Sequence, residues 1–403
     1  MFLYLRSKIG PSMIDEKTLL FAREHRQDDV HKLLLLASRY LDVDMSEVAT
    51  QIESWRTAQT KIPSWAANDS IVWPSRLAME QCSSEDTSLY KASLTEGDSL
   101  TDLTGGLGVD CAFMSQRFKQ VLYVEKNEPL YAISSANFRH LGLSHIQTLC
   151  ADGTDVLPSL PKQDWIYLDP ARRSHTGQKV IRLSDCEPDV TLLETLLLEH
   201  ARNVMIKCSP MLDIHQACGQ LRSIQSIHVV SLRGECKELL LILEKEPKKA
   251  DEIEVFCTNL PDGETFSFTR KEEKEALCEY TPDVEAYLYE PNAAVLKAGC
   301  FKLLAQRYNL KKLHPNTQLY TSGNFISSFP GRAFRVEKVE GFSKNARKSL
   351  LEGISQANVS TRNFPMSSDS LRKRLRLTDG GDNYMIATTL SDGRHALILC
   401  KKA

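Results

Sequence analysis

The sequence predicts an α/β protein: a doubly wound, seven-stranded sheet with a helical N-terminal lead-in and two small α+β C-terminal domains. Three observations carry this. Apolar runs at 99–104, 121–126, 146–152, 164–169, 203–208, 226–233 and 237–244 have the length and composition of buried strands. Helical patterns separate the first six, as parallel crossovers require. Between the sixth and seventh lie only Gly234, Glu235 and Cys236, too few for a parallel crossover, so the last pair is an antiparallel hairpin.

The first strand runs into Asp102-Leu-Thr-Gly-Gly-Leu-Gly-Val-Asp110 and then into a helical pattern from Val109 to Phe118. Glycines at 105, 106 and 108 let backbone approach a ligand closely, so this is the geometry of a nucleotide-binding turn. The next three strands end in further acids. Val121-Leu-Tyr-Val-Glu125 places a carboxylate where a doubly wound sheet holds ribose hydroxyls. Ile146 to Asp152 ends in a second, and Trp165-Ile-Tyr-Leu-Asp169-Pro-Ala-Arg-Arg173 in a third followed by proline. Asp102, Glu125, Asp152 and Asp169 therefore line one edge of a parallel sheet.

These residues resemble the class I S-adenosylmethionine-dependent methyltransferases, whose sheet is Rossmann-like, seven-stranded and closed by an antiparallel hairpin. The D-x-T-G-G-x-G turn is similar to their first motif, with Thr104 in place of the commonest first glycine. Glu125 resembles the ribose-binding acid, Asp152 the residue beside the adenine, and Asp169-Pro170-Ala171-Arg172 the fourth motif. A nicotinamide dehydrogenase shares the glycine turn and the acid but explains neither Asp152 nor Asp169-Pro170.

Composition bounds the rest. A chain of 403 residues with 42% hydrophobic and 25% charged residues is that of a soluble, multi-domain globular protein. Eleven cysteines with no C-x-x-C pair argue against a zinc cluster and a disulfide framework, so no metal is expected and the compartment is reducing. No apolar run reaches membrane-helix length and Met1-Phe-Leu-Tyr-Leu-Arg lacks a signal peptide's apolar core, so a cytoplasmic location is expected. Met13 directly precedes the first helical pattern and is an alternative start. From residue 326 onward fourteen Lys/Arg stand against seven Asp/Glu, a net +7 in a chain of net −2. A basic appendage on an acidic body points to a polyanion partner, a solvated helix face being the plainer reading.

Along the chain, residues 1–95 form the helical segment, with Asp44 and Glu47 as a cap pair and Trp65 and Trp73 as core anchors. Ser83 or Ser84 caps the helix before the first strand. In related RNA methyltransferases a polar segment here folds over the cofactor, which implies that Gln81, Ser83, Ser84 and Glu85 border the site. Residues 96–247 are the methyltransferase domain. Residues 248–328 carry strands 253–259 and 265–269 and one helix from Ala293 to Tyr308, a ferredoxin-like domain. In residues 329–403 the expected order is strand 334–339, helix 345–354, strand 357–362, helix 368–375 stopped by Gly380-Gly381, and a hairpin around Asp392-Gly393. This segment resembles the THUMP-like domains of RNA-modifying enzymes, and the three parts together a bacterial, Bacteroidetes-type methyltransferase family.

The resemblance implies site roles. Asp102, Thr104, Gly105, Gly106, Gly108, Glu125, Asp152 and Asp169 bind S-adenosylmethionine; Asp169, Pro170 and Arg172 form the catalytic motif. Ala171 and Arg172 replace the proline and base-stacking aromatic of amine methyltransferases, so Arg172 or Arg173 contacts a phosphate or stacks by its guanidinium plane; a salt bridge to Asp185 or Glu187 is the alternative. Lys207, Arg372 and Lys373 complete the substrate-binding set. The function implied is methylation of tRNA or rRNA at a base nitrogen. Ile206-Lys-Cys-Ser-Pro210 partly resembles the nucleophile loop of uracil-C5 methyltransferases, which makes Cys208 a second candidate if Lys207 lowers its pKa; adjacent strand residues face opposite ways, against this. The same residues also admit a small-molecule or protein methyltransferase and a non-catalytic RNA-binding protein.

Overall fold

Aspartates and a serine start the helices of the lead-in. In the computed structural model, which describes residues 14–172, 182–343 and 350–403, Asp15, Asp29 and Asp44 accept backbone N–H bonds at the starts of α1 (Glu16–Glu24), α2 (Val30–Leu35) and α3 (Met45–Lys61). After α4 (Pro63–Ala66) and α5 (Arg76–Gln81), Ser84 caps α6 (Glu85–Ser93). Val30, Leu33, Met45, Val48 and Ile52 make the core of these helices. Trp65 and Trp73 are buried, as expected, and Gln51 donates to the Trp73 carbonyl at 2.6 Å. Met1 and Met13 lie outside the described residues.

The chain divides into two compact units, Met1–Gln225 with Leu239–Lys248, and Ser226–Glu238 with Lys249–Ala403. The first unit continues with β1 (Ser99–Asp102), α7 (Val109–Ser115), β2 (Gln120–Glu125), α8 (Glu128–His140), β3 (Ile146–Cys150), α9 (Gly153–Val156) and β4 (Gln163–Leu168). A short ribbon of β5 (Ala171–Arg172) and β6 (Cys186–Glu187) precedes α10 (Val190–His200), β7 (Ala201–Cys208) and α11 (Ile214–Gln220). β8 (Ile224–Leu232) and β9 (Glu235–Glu244) follow. The linking residues Arg233 and Gly234 both have positive φ, +52° and +83°, the two-residue hairpin turn that the short link predicts. The strand order in the first unit is β9-β7-β4-β1-β2-β3, parallel throughout except for β9, which is antiparallel to β7.

In the second unit β10 (Glu254–Leu260) pairs in parallel with β8, and β11 (Glu264–Thr269) is antiparallel to β10. The sequence assigns these two strands to the ferredoxin-like segment; their hydrogen bonds instead extend the edge that β8 offers. Thr269 and Glu272 form a reciprocal cap on α12 (Arg270–Glu275). After β12 (Tyr287–Pro291) the helix expected over 293–308 is broken in two, α13 (Ala293–Ala298) and α14 (Phe301–Arg307), because Gly299 takes φ +80° and ends the first. β13 (Lys311–His314) and β14 (Thr317–Ser322) have no counterpart in the sequence reading. The chain ends with β15 (Gly331–Gly341), β16 (Asn358–Arg362), α15 (Ser368–Leu375), β17 (Asn383–Thr389) and β18 (His395–Lys402). Part of the helix expected over 345–354 lies outside the described residues.

The seven strands from β12 to β18 make one sheet, in the order β13-β14-β12-β15-β18-β17-β16. Its core contains Leu288, Leu319, Phe334, Ile386 and Ile398 on one side and Leu371, Leu375, Met385 and Leu397 on the other. The sheet curls until distant strands touch. Thr317 of β14 meets Thr388 of β17 at 3.1 Å, and Asn363, just past β16, meets His314 at 3.1 Å. The stop of α15 is Arg376, a non-glycine residue at φ +58°, rather than Gly380-Gly381. The N–H of Arg376 reaches back to the last helical carbonyls, so the helix closes one turn before the glycines.

Among the described residues no helix is long and apolar enough to cross a membrane.

Candidate active site

The site begins with strand register. β4, β1, β2 and β3 lie side by side in parallel, so their C-terminal ends share one edge. Asp102 and Glu125 are the last residues of β1 and β2, Asp169 is the first after β4, and Asp152 caps α9 just past β3. The four acids read from the sequence are thus brought to one strand edge.

The glycine turn is packed onto this edge. Gly105 donates to the Val124 carbonyl at 2.8 Å, and a Cβ there would fall 2.1 Å from the Tyr123 ring. Gly106 and Gly108 take φ +56° and +78°, where glycine is favoured. Gly106 donates its N–H to Glu125 Oε2 at 2.7 Å, and Asn127 N–H bonds the other oxygen at 2.7 Å. Glu125 is therefore oriented by two backbone donors. A carboxylate has about four acceptor positions, so capacity is left for hydroxyls. Thr104, the departure from the commonest motif, accepts the Asp169 N–H on its hydroxyl at 2.6 Å. It ties the first turn to the fourth strand end, which a glycine there would not.

Asp102 is 1% exposed and accepts from Thr104 N–H at 3.0 Å. Burial pushes its carboxyl well above the ordinary range; the Thr104 amide opposes this, while Asp110, Asp169 and Glu125 add to it. Asp152 shifts the other way: the Thr154 hydroxyl at 2.7 Å and its N–H at 2.9 Å hold the carboxyl below its usual value. Lys126 lies 3.6 Å from Asp152 and 2.8 Å from Glu187.

Beneath Asp169 stands a polar network that the sequence does not reveal. Lys207 Nζ reaches Asp169 Oδ2 at 2.6 Å and Asp110 Oδ2 at 3.9 Å. Asp110, in the first turn of α7, also holds Lys91 at 3.2 Å and accepts from Ser83 at 2.7 Å, Ser88 at 2.6 Å and Tyr167 at 2.7 Å. Lys91 is fully buried. Burial by itself would raise the Asp110 pKa; Lys91, Lys207 and the two serine hydroxyls outweigh it and hold the carboxyl well below the carboxylate range. Charges thus alternate from Lys91 through Asp110 and Lys207 to Asp169, the last being 37% exposed. Asp110 closes the glycine turn in sequence, but it sits at a helical position where an acid carries no motif signal.

The remaining expected residues fall as follows. Pro170 is half-buried beside Asp169. Arg172 lies in β5, its backbone opposite Cys186; Arg173 is outside the described residues. Of the segment expected to border the site, Ser83 does so through Asp110, whereas Ser84 caps α6 and Glu85 binds Ser64 at 2.8 Å; Gln81 is exposed. At Cys208 burial, then Cys186 and Asp169, pushes the thiol well above the ordinary value despite Lys207, which disfavours the thiolate that a nucleophile needs. Arg372 is committed to Asp369 at 2.7 Å and Asp379 at 3.3 Å, while Lys373 is exposed on α15. Among the described residues no group of three His, Cys, Asp or Glu is placed to hold a metal ion.

Comparison with known proteins identifies two segments by family model, a ferredoxin-like domain at residues 287–330 and a THUMP domain-like region at residues 331–402. No curated protein matches the chain in sequence. The crystal structure of a protein from Porphyromonas gingivalis W83, assigned as a methyltransferase, is 36% identical with a TM-score of 0.86, over 97% of this chain and 100% of that one. Weaker likenesses include an rRNA methylase from Streptococcus thermophilus at 14% identity and TM-score 0.30, over 40% of this chain and 94% of that one. Another is TrmK of M. capricolum in complex with S-adenosyl-homocysteine, at 11% and 0.32, over 40% and 68%. By the full-length match the chain belongs to the methyltransferase family of the Porphyromonas protein, with ferredoxin-like and THUMP-like segments at residues 287–330 and 331–402.

Proposed function

We propose that this protein transfers a methyl group from S-adenosylmethionine to RNA, a tRNA or rRNA, at a base nitrogen. The observation that carries the reading is the edge of β1–β4, where Asp102, Glu125, Asp152 and Asp169 stand beside a glycine turn, with Asp169 gripped by Lys207. On this reading residues 96–247 form the catalytic domain behind a helical segment of 1–95, the ferredoxin-like domain spans residues 287–330, and residues 331–402 are an RNA-binding THUMP-like domain.

The donor set suits the cofactor, a ligand with an ammonium, ribose hydroxyls and an adenine amine. Asp102 and the turn from Thr104 to Gly108 hold its methionine end, Glu125 its ribose and Asp152 its adenine amine. When bound, the cofactor supplies an electrophilic methyl on sulfur.

The chain's own task is alignment and proton removal. Asp169 accepts the N–H of the substrate amine, which orients the nitrogen lone pair. Lys207 and the Thr104 hydroxyl hold Asp169 on both its side chain and its backbone. The net +7 of residues 326–403 favours a polyanion over a neutral small molecule. Arg172, Arg173 and Lys373 contribute phosphate contacts. Arg372, neutralised by two aspartates, contributes less than the sequence predicts.

The test is transfer of labelled methyl from S-adenosylmethionine to total RNA from cells lacking this gene, with Asp169→Ala as control. Label that the control loses supports the reading, and nucleoside analysis names the atom. No label in any RNA, with cofactor binding demonstrated by calorimetry, refutes it.

A further inference from the structure

Glu290, the next-to-last residue of β12 in the curled sheet, is a carboxylate with 3% exposure. Arg332, directly opposite on β15, bonds one of its oxygens through Nη2. The other oxygen faces Arg362 Nη2 at 2.5 Å, from the end of β16. That contact is an ion pair, and Arg362 also donates from Nη1 to the Thr361 carbonyl at 3.0 Å. Arg332 lays its guanidinium over the Phe334 ring at 5.5 Å.

We propose that Arg332 and Arg362 form a binding site for the phosphodiester backbone of an RNA strand, an inference that rests on the RNA reading above. Each guanidinium offers five donors in a planar fork that matches phosphate oxygens. Here each is fixed at its inner edge and open at its outer one, the side chains being 52% and 39% exposed. Holding both on one carboxylate places them side by side and removes in advance much of the rotamer freedom that binding would otherwise cost. The cluster keeps a net charge of +1, within a segment of +7.

Closure of the sheet alone does not account for the trio. Thr317–Thr388 and Asn363–His314 already join its distant strands, and apolar residues of similar volume replace a buried ion cluster without loss of stability in many proteins. Two half-exposed arginines on a buried acid are what an oriented anion site requires.

Fluorescein-labelled bulk tRNA is titrated with the full-length protein across a salt series. Wild type is compared with the double variants Arg332→Gln, Arg362→Gln and Arg332→Lys, Arg362→Lys. The glutamine pair is expected to bind about tenfold more weakly and to lower the log–log salt slope by about 1.4–1.8, two phosphate contacts. The lysine pair keeps the slope and loses part of the affinity, because lysine carries the charge without the fork. Thermal unfolding reports whether the glutamine pair folds; if it does not, Arg332→Gln alone, at the more exposed position, is expected to lower the slope by about half as much. Folded glutamine variants with wild-type affinity and slope overturn the site and leave the RNA reading standing. Failure of the wild type to bind bulk tRNA, and purified rRNA titrated in the same way, overturns both.

Discussion

Lys207 Nζ stands 2.6 Å from Asp169 Oδ2, and parallel register puts it there. Leu168 of β4 lies opposite Ile206 of β7, so the next residue on each strand falls at the same height. The ammonium is 13% exposed and the carboxylate 37%, so the pair is screened less than a surface ion pair and fixes the acid's direction.

Removing that ammonium separates positioning from cofactor binding. Lys207→Met is expected to lower kcat about 10- to 100-fold, or about 1.4–2.7 kcal/mol, while S-adenosylmethionine binding by calorimetry changes less than twofold. Lys207→Arg recovers part of the rate. An unchanged kcat in Lys207→Met would falsify the positioning role.

Asp110 supplies the pH test. Its folded-state pKa is depressed, so the stability it contributes is present above its unfolded value, roughly 3.9, and is lost as pH falls toward the folded value. Asp110→Asn leaves Lys91 buried without its ion pair and is expected to cost about 3–5 kcal/mol in urea unfolding at pH 7. The gap between the two proteins should narrow below about pH 4; a gap that widens there would contradict the assigned charge state.

The turn tolerates no side chain at Gly105. Its Cβ would meet a Tyr123 ring held by a 2.5 Å bond from the hydroxyl to the Gly106 carbonyl and by edge contact with Phe138 at 5.1 Å. Gly105→Ala is expected to cost about 1–3 kcal/mol by overpacking and to weaken cofactor binding in the same calorimetric assay. Wild-type stability would mean that the turn yields more than its contacts imply.

Cys208→Ser should keep turnover within about threefold, since burial pushes the thiol's pKa up and disfavours the thiolate that attack requires. Loss of methyl transfer, with a covalent RNA adduct trapped in the wild type, would restore the C5 chemistry.

On α15 two neighbours should behave oppositely. Leu371 is fully buried, and Leu371→Ala is expected to lower stability by about 2–5 kcal/mol. Lys373→Ala should leave the unfolding midpoint in place and lower the tRNA salt slope by about 0.7–0.9, one phosphate contact.

The strand-end acids, the glycine turn and the closing hairpin were legible because each is a local pattern. A period of two, a short link or a residue at a strand terminus has one structural consequence whatever surrounds it. Trp65 and Trp73 were legible as core for the same kind of reason, their apolar area. Even so, Gly299 splits a helix that periodicity reads as one, because a left-handed residue satisfies the end of a turn as well as a continued helix does. The strands at 311–314 and 317–322 are short and mix lysine and threonine with leucine, so the alternation needed to read them is absent.

What the sequence alone determined is therefore the α/β class and the order of the site's first layer. Tertiary structure decided what lies behind it. Asp110 gathers Ser83, Ser88, Lys91, Tyr167 and Lys207 from positions up to 97 residues away, and Glu290 gathers Arg332 and Arg362 across a curled sheet. No periodicity encodes such pairs. A buried charge needs a partner of opposite sign in space, and only the folded chain determines which residues are close enough to serve.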